Sequence, residues 1–297
     1  FPHSRIVLLK YFDENGFIAT EAPILTGTSV EGTTTLFETE YFGQDAYLTQ
    51  SGQLYLEASA AALGEVYWIG PVFRAEKSKT RKHLTEFWMV EGEMSWYEHD
   101  DSLDLQERLV RSTVKSIVEN RSGELEQLGV DPSELADQVE GEFPRISYDE
   151  AVEIVNDGGV KMDSGEDFGA PAESVLGEYF DKPVFIEAFP KELKPFYMEP
   201  MPEGDKVYCA DLIAPDGYGE IIGGSQRIHE LEVLKRRLRE EGLPEEPYQW
   251  YLDLRRYGSV PHSGFGLGVE RTISWICQCD HVRETIPFPR QINRIYP

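Results

Sequence analysis

The chain has 297 residues, 40% of them hydrophobic, which is enough for one large α/β or α+β domain or for two smaller ones. Its 54 acidic residues against 28 basic ones give a net charge of -26, so any contact with nucleic acid or phosphate must come from a local concentration of Lys and Arg. Three cysteines without framework spacing and six scattered histidines speak against a disulfide scaffold or a structural zinc site. The odd cysteine count suggests a reducing compartment, no apolar run of transmembrane length or signal peptide is visible, and a cytoplasmic setting is expected.

In chain order, SRIVLLKYFDEN (4–15) has Ile6, Leu9 and Phe12 at helical spacing, with Gly16 as the stop. The chain opens at Phe1 inside this helix, so an N-terminal segment is expected to be missing from it. FIATEAPIL (17–25) reads as a strand that Pro23 confines to an edge or a bend. The polar loop TGTSVEGTTT (26–35) carries Glu31 and could cover a site as a lid. A hairpin, EYFGQDAYLT, leads to an Ala-rich helix in which Gln53 and Glu57 are four apart and share one face. Two polar groups on one face of an otherwise apolar helix are either solvated or line a pocket.

The most informative stretch is 71–94. VYWIGPVF and FWMVEGEMSW have the Val, Ile, Phe, Trp and Met content of buried strands. Between them lie Arg74, Lys77, Lys79, Arg81, Lys82 and His83, with Glu76 and Glu86 as counter-charge. A charge run is usually a solvated surface. This one runs against an acidic composition and suits a polyanion such as a triphosphate or a nucleic-acid end. Residues 98–142 are acidic and mostly helical, and read as an insertion on the scaffold. PVFIEAFP (183–190) and KVYCADLIAP (206–215) are strands. DGYGEIIGGSQR (216–227) holds four glycines with Glu220 and Arg227, an acid able to hold a cation beside backbone that a ligand can approach. A charged amphipathic helix follows at 229–241 and a short helical run at 248–257. PHSGFGLGVERTISWICQ (261–278) is glycine-rich and then helical, without the dinucleotide G-x-G-x-x-G spacing, and sets Gly268 and Arg271 at the helix start.

Three of these stretches, FRAE…TRKHLTEF, GYGEIIGGSQR and GFGLGVER, occur in the order of the catalytic motifs of the class II aminoacyl-tRNA synthetases, which the chain resembles over nearly its whole length. FPHSRIVLLKYFDENGFIATEAPIL resembles most of that class's first motif. TQSGQLYLE, VPHSGFGLG and ETIPFPR are most similar to the asparaginyl members of the aspartyl/asparaginyl group. The resemblance implies an α+β catalytic domain over 1–297, an antiparallel sheet flanked by helices, without an N-terminal anticodon-binding domain in this chain. It also implies a homodimer through residues 1–25, ATP and Mg²⁺, asparagine and tRNA(Asn), and no membrane contact.

Residue by residue, the resemblance implies that Arg74 grips the α-phosphate and the reacting carboxylate and that Glu76 faces the adenine. His83 and Leu84 fold over the nucleotide, with Gly268 beside it. Glu220 holds Mg²⁺ and Arg271 meets the γ-phosphate. Glu31 meets the substrate ammonium, Gln53 lines the amino-acid pocket, and Arg227 reads the side-chain carbonyl or carboxylate. Two departures stand out. The aspartyl enzymes have a Lys where this chain has Leu56, followed by Glu57, and Gly223 replaces a metal-side Ser of the archaeal aspartyl pattern. Glu57 is therefore expected to accept from an amide NH₂ and repel a carboxylate, favouring asparagine. The alternative keeps the fold and uses aspartyl-adenylate, either to charge tRNA or to make free asparagine.

Overall fold

A computed structural model describes residues 2–30, 35–78, 80–202 and 204–296. The elements are α1 (Pro2–Glu14), β1 (Ile18–Ala19), β2 (Leu25–Thr26), β3 (Glu38–Tyr41), β4 (Gln44–Leu48), α2 (Gln53–Leu63), β5 (Glu65–Phe73) and β6 (Glu86–Ser95). They continue with α3 (His99–Gln127), α4 (Pro132–Asp137), β7 (Arg145–Ser147), α5 (Tyr148–Asp157), α6 (Ala170–Tyr179), β8 (Val184–Glu187), β9 (Cys209–Ala214) and β10 (Gly219–Arg227). The chain closes with α7 (Leu231–Glu240), α8 (Gln249–Arg256), β11 (His262–Gly268) and α9 (Val269–Ile276). The strand expected over 17–25 is reduced to β1 and β2, two residues each, on either side of Pro23, which cannot donate to a ladder.

The main sheet has eight strands in the order β1-β5-β6-β11-β10-β9-β8-β7. The six central strands pair antiparallel, and the short outer strands β1 and β7 pair parallel with β5 and β8. A small antiparallel sheet, β2-β4-β3, sits beside it. This is the expected α+β architecture of an antiparallel sheet flanked by helices. The glycine run at 262–268 is itself the central strand β11.

Alternation along the strands divides the sheet into two unlike faces. Val90 and Met94 of β6, Phe265 and Leu267 of β11, Ile222 of β10, and Ala210, Leu212 and Ala214 of β9 all belong to one buried apolar cluster, shared with α1, α3 and α9. The intervening positions of the same strands carry Glu91, Glu93, Asp211, Gly223, Ser225, Arg227, Gly264 and Gly266. The register lines these up across the sheet, Glu93 against Gly264 against Ser225, and Glu91 against Gly266 against Gly223 against Asp211. One face is the core and the other is the floor of a polar cleft. A second apolar cluster, with Tyr148, Phe189, Phe196, Tyr197, Tyr248 and Tyr251, walls that cleft on the side of β8 and helices α5–α8.

The 98–142 segment is helical over α3 and α4, and its apolar stripe is part of the main core. Leu103, Leu105, Leu109, Val110, Val114 and Ile117 are buried in the cluster that backs the sheet. A capping box between Glu98 and Asp101 starts α3, and non-helical backbone at Arg121 kinks it near its end. Leu109 is fully buried. Leu109→Ala is expected to lower the free energy of urea unfolding by about 2–5 kcal/mol, the range for a leucine truncated in a packed core. A loss under about 0.5 kcal/mol, typical of surface changes, would show α3 to be peripheral.

Candidate active site

The loop between β5 and β6 is held at both ends. Arg74 N donates to Thr85 O at 3.0 Å, Thr85 N to Arg290 O at 2.9 Å, and Val282 N to Arg81 O at 3.0 Å, so the C-terminal segment clamps the basic tip onto the sheet. Arg74 leaves the strand with its guanidinium 5.5 Å from the centroid of the Phe87 ring. Glu76 and His83 approach to 3.5 Å across the loop, and Leu84 is buried beneath them. Burial, and then the charge of Arg271, holds His83 below its usual pKa. Arg271, in the first turn of α9, donates to Glu220 O at 3.0 Å and lies 3.6 Å from Glu220 Oε2. Arg74, Glu76, His83, Leu84, Glu220, Gly268 and Arg271 thus surround one pocket of about 90 Å³, with Phe87 as its apolar wall.

This pocket opens beside a larger cleft of about 670 Å³; Arg74 and Glu220 border both. The floor of the cleft is a layer of buried charge. Arg227 donates through Nη2 to Glu93 Oε1 at 2.6 Å, through Nε to Glu93 Oε2 at 3.3 Å, and through Nη1 to Ser225 Oγ at 2.6 Å. Its guanidinium lies 5.2 Å from the centroid of Tyr197. Gly264 makes this possible, since a Cβ there would stand 2.0 Å from Glu93 Oε1. Gly264 of β11 thus clears space for an acidic side chain of the neighbouring strand, and Gly266 does the same for Met89.

Burial pushes the Glu93 carboxyl upward, with Glu57 and Glu91 adding to the shift, while Arg227, bonded to both of its oxygens, opposes it. Burial likewise pushes Glu91 up to about 7, against hydrogen bonds from Ser51 and Gly52 and the charges of Arg74 and Arg227. Glu91 Oε2 accepts from Gly52 N at 2.7 Å, while its buried Oε1 has no hydrogen-bond partner among the described residues.

Glu57 departs from its expected place. Its carboxylate is fully buried below the cleft floor and does not line the cavity. It accepts from Arg255 Nη2 at 2.5 Å, Tyr251 OH at 2.7 Å, and Gln53 Nε2 at 3.2 Å, and lies 2.8 Å from His262 Nε2. Burial opposes its ionisation, but Arg255, His262 and Arg227 outweigh it and hold the carboxyl far below the usual range. Its oxygens are engaged by four protein groups, and it is not among the residues that line the cleft. Nearest Arg227, the acids that line the cleft are Glu91 and Glu93. Leu56 is fully buried in an apolar cluster with Trp68 and Met89.

At the other end of the cleft, Asp211 and Glu220 converge on Gly223. A Cβ there would lie 3.1 Å from Glu220 Oε1 and 3.6 Å from Asp211 Oδ1, tight for any larger residue. Burial, with the charge of Glu220 adding to it and Lys194 opposing it, pushes Asp211 up to about 7. A close pair of carboxylates with hard oxygen donors and open backbone between them is a fitting site for Mg²⁺.

Of the residues expected from sequence, nine line these two cavities: Arg74, Glu76, His83, Leu84, Gly268, Arg271, Glu220, Gln53 and Arg227. Glu57 lies one layer below, and Glu31 lies outside the described residues. Sequence reading missed Glu91, Glu93, Asp211 and Lys194. For the acids a signal was present, because MVEGEMS sets two of them at alternate positions and CADLIA sets one inside strands otherwise too apolar to face water.

The family model "tRNA synthetases class II (D, K and N)" matches residues 5–292. The asparagine--tRNA ligase of Symbiobacterium thermophilum is 58% identical over 296 residues, spanning 97% of this chain and 68% of that protein. Among solved structures, asparaginyl-tRNA synthetase from Pyrococcus horikoshii complexed with asparaginyl-adenylate superposes with a TM-score of 0.96 at 47% identity, covering 99% of this chain and 68% of that one. The Entamoeba histolytica asparaginyl-tRNA synthetase in complex with asparaginyl-adenylate gives a TM-score of 0.88 at 33% identity, over 99% of this chain and 66% of that one.

The buried carboxyls have a measurable consequence. Native Glu91 keeps its proton to about pH 7, while the unfolded chain loses it near 4.5. Between these values the folded state binds the extra proton, so this group's contribution to stability falls as pH rises. Glu91→Gln removes the dependence. Relative to the parent, the variant is expected to gain on the order of 3 kcal/mol between about pH 4.5 and pH 7.5 in denaturant titrations. Parallel pH profiles for the two proteins would contradict the shift.

Proposed function

The chain belongs to the tRNA synthetases of class II (D, K and N), and on that premise we propose that it activates asparagine with ATP and transfers the asparaginyl group to the 3′ end of tRNA(Asn). In the first step a carboxylate oxygen of asparagine attacks the α-phosphorus of ATP, and pyrophosphate leaves. In the second, the terminal ribose hydroxyl of tRNA attacks the acyl carbon, and AMP leaves. Neither step asks the protein for covalent chemistry. It must bring anions together and hold the charge that develops. Arg74, at the junction of the two cavities, is suited to the α-phosphate and the reacting carboxylate. Arg271 is suited to the γ-phosphate, Glu76 to the adenine, and His83, Leu84 and Gly268 to enclosing the nucleotide in the smaller pocket. Asp211 and Glu220 would hold Mg²⁺, which when bound offsets charge on the phosphate oxygens. Gln53 lines the amino-acid end, and Glu31 is proposed for the substrate ammonium.

The observation that carries the choice of asparagine is the crowding of Glu57, Glu91 and Glu93 around Arg227. Arg227 has two of its donor nitrogens committed to Glu93, so what it offers a ligand is a hydrogen bond without a surplus positive charge. A neutral amide can accept from Arg227 and donate NH₂ to a surface acid, directly or through water. An aspartate side chain would bring a further negative charge among acids that already raise one another's pKa and share one guanidinium. Glu57 acts on this choice through its charge from below, with Leu56 leaving the floor without the lysine of the aspartyl enzymes. Exposed Ile6, Ile18, Ile24 and Leu25 support a homodimer through residues 1–25, and a cytoplasmic setting accords with the reaction. Among the described residues, no helix is long and apolar enough to cross a membrane.

Amino-acid-dependent ATP–pyrophosphate exchange tests this reading. Exchange is expected with asparagine, at least about 10²-fold above aspartate, and Arg227→Gln should lower the asparagine rate by a similar factor or more. Exchange with aspartate alone would overturn the reading and identify an aspartate-activating enzyme.

A further inference from the structure

Lys194 has no part in the reaction as described, yet it occupies a central position in the cleft. It follows a short 3₁₀ turn, Lys191–Leu193, that is anchored to α7: the buried Arg237 donates through Nη2 to Lys191 O at 2.9 Å and Lys194 O at 3.2 Å. The Lys194 ammonium lies 2.6 Å from Asp211 Oδ2 and 3.7 Å from the centroid of the Phe189 ring. The other oxygen, Asp211 Oδ1, faces Glu220 Oε1 over Gly223, and Glu220 Oε2 lies 3.6 Å from Arg271. The acid pair is thus bracketed by a cation on each side before any ligand arrives.

We propose that Lys194 is a resident counter-ion of the Asp211–Glu220 pair, so that the cleft admits a divalent cation as a metal–nucleotide complex in preference to the free ion. The inference rests on the adenylate-forming reading above. A free divalent ion would bring two positive charges to carboxylates that Lys194 and Arg271 already neutralise. It would meet repulsion where an uncompensated acid pair would attract it. A divalent ion bound to ATP arrives with net negative charge. The same two cations then favour entry, and the ammonium displaced from Asp211 has phosphate oxygens to pair with. Lys194 is a positioning residue on this account: it sets the order in which metal and nucleotide load.

Mn²⁺ titration followed by electron paramagnetic resonance reads this directly on the nucleotide-free chain. Wild type and Lys194→Arg are expected to bind free Mn²⁺ weakly. Lys194→Met should bind it at least about tenfold more tightly, while its affinity for the Mn²⁺–ATP complex falls. Lys194→Gln, which also removes the charge, should repeat the result if Lys194→Met does not fold. Unchanged Mn²⁺ affinity in the uncharged variant would overturn the proposal. So would a wild type that binds free Mn²⁺ as tightly as it binds the Mn²⁺–ATP complex. Failure of wild-type asparagine-dependent exchange would instead count against the functional reading, so the two failures are distinguishable.

Discussion

The Glu93–Arg227 ion pair is the constraint around which the cleft is built. Both side chains are almost fully buried on the cleft face of the sheet, Glu93 on β6 and Arg227 on β10, with β11 between them. Removing two charges from water costs several kcal/mol each before their attraction is counted, and an apolar pair would do as much for stability. The surrounding structure accommodates the pair at each point. β11 is glycine where Glu93 crosses it, Ser225 takes the third guanidinium contact, and Tyr197 covers the remaining face. Beneath it, Glu57 is balanced by Arg255, His262 and Tyr251. Two stacked layers of compensated charge form a floor that is rigid and nearly neutral. Such a floor discriminates between an amide and a carboxylate by the cost of one additional charge.

The sheet lets an acidic, polar floor coexist with a stable core because its two faces divide the work. The apolar positions of β6, β9, β10 and β11 meet α1, α3 and α9 in one cluster, and the residues between them face the cleft. Function and stability are interleaved along the same strands with a period of two. The hairpin of β5 and β6 joins them: it continues from the core face into the basic loop, which the C-terminal segment clamps over the smaller pocket.

Much of this was legible in the sequence, for identifiable reasons. The β5–β6 hairpin, α2, α7 and α9 follow from strand and helix periodicity. The nucleotide-side residues lie within three compact motifs, Arg74 to Leu84 in one, Glu220 in the second, and Gly268 and Arg271 in the third, and each motif keeps neighbours in sequence near one another in space. What sequence reading could not resolve depends on contacts between distant segments. Glu57 pairs with Arg255, 198 residues away. The spacing of Gln53 and Glu57 left both either solvated or in a pocket, and the family resemblance put both at the amino acid. They do share a helix face, but Gln53 is at the surface of the cleft and Glu57 one turn deeper, where α8 meets it. In the same way, Lys194 becomes a cleft residue because Arg237 of a later helix holds its turn, and the 98–142 segment becomes core because α3 lies along the back of the sheet.

The central claim is that a crowded, charge-balanced floor accepts a neutral side chain and rejects an anionic one. Calorimetric titration of the wild-type chain with the non-hydrolysable sulfamoyl-adenosine analogues of asparaginyl-adenylate and aspartyl-adenylate tests it most directly, because the two ligands differ only at the group that meets the floor. The account predicts that the asparaginyl analogue binds at least about 10²-fold more tightly, the scale set by an unmatched polar or charged group in a buried site. Equal affinity, or tighter binding of the aspartyl analogue, would contradict it.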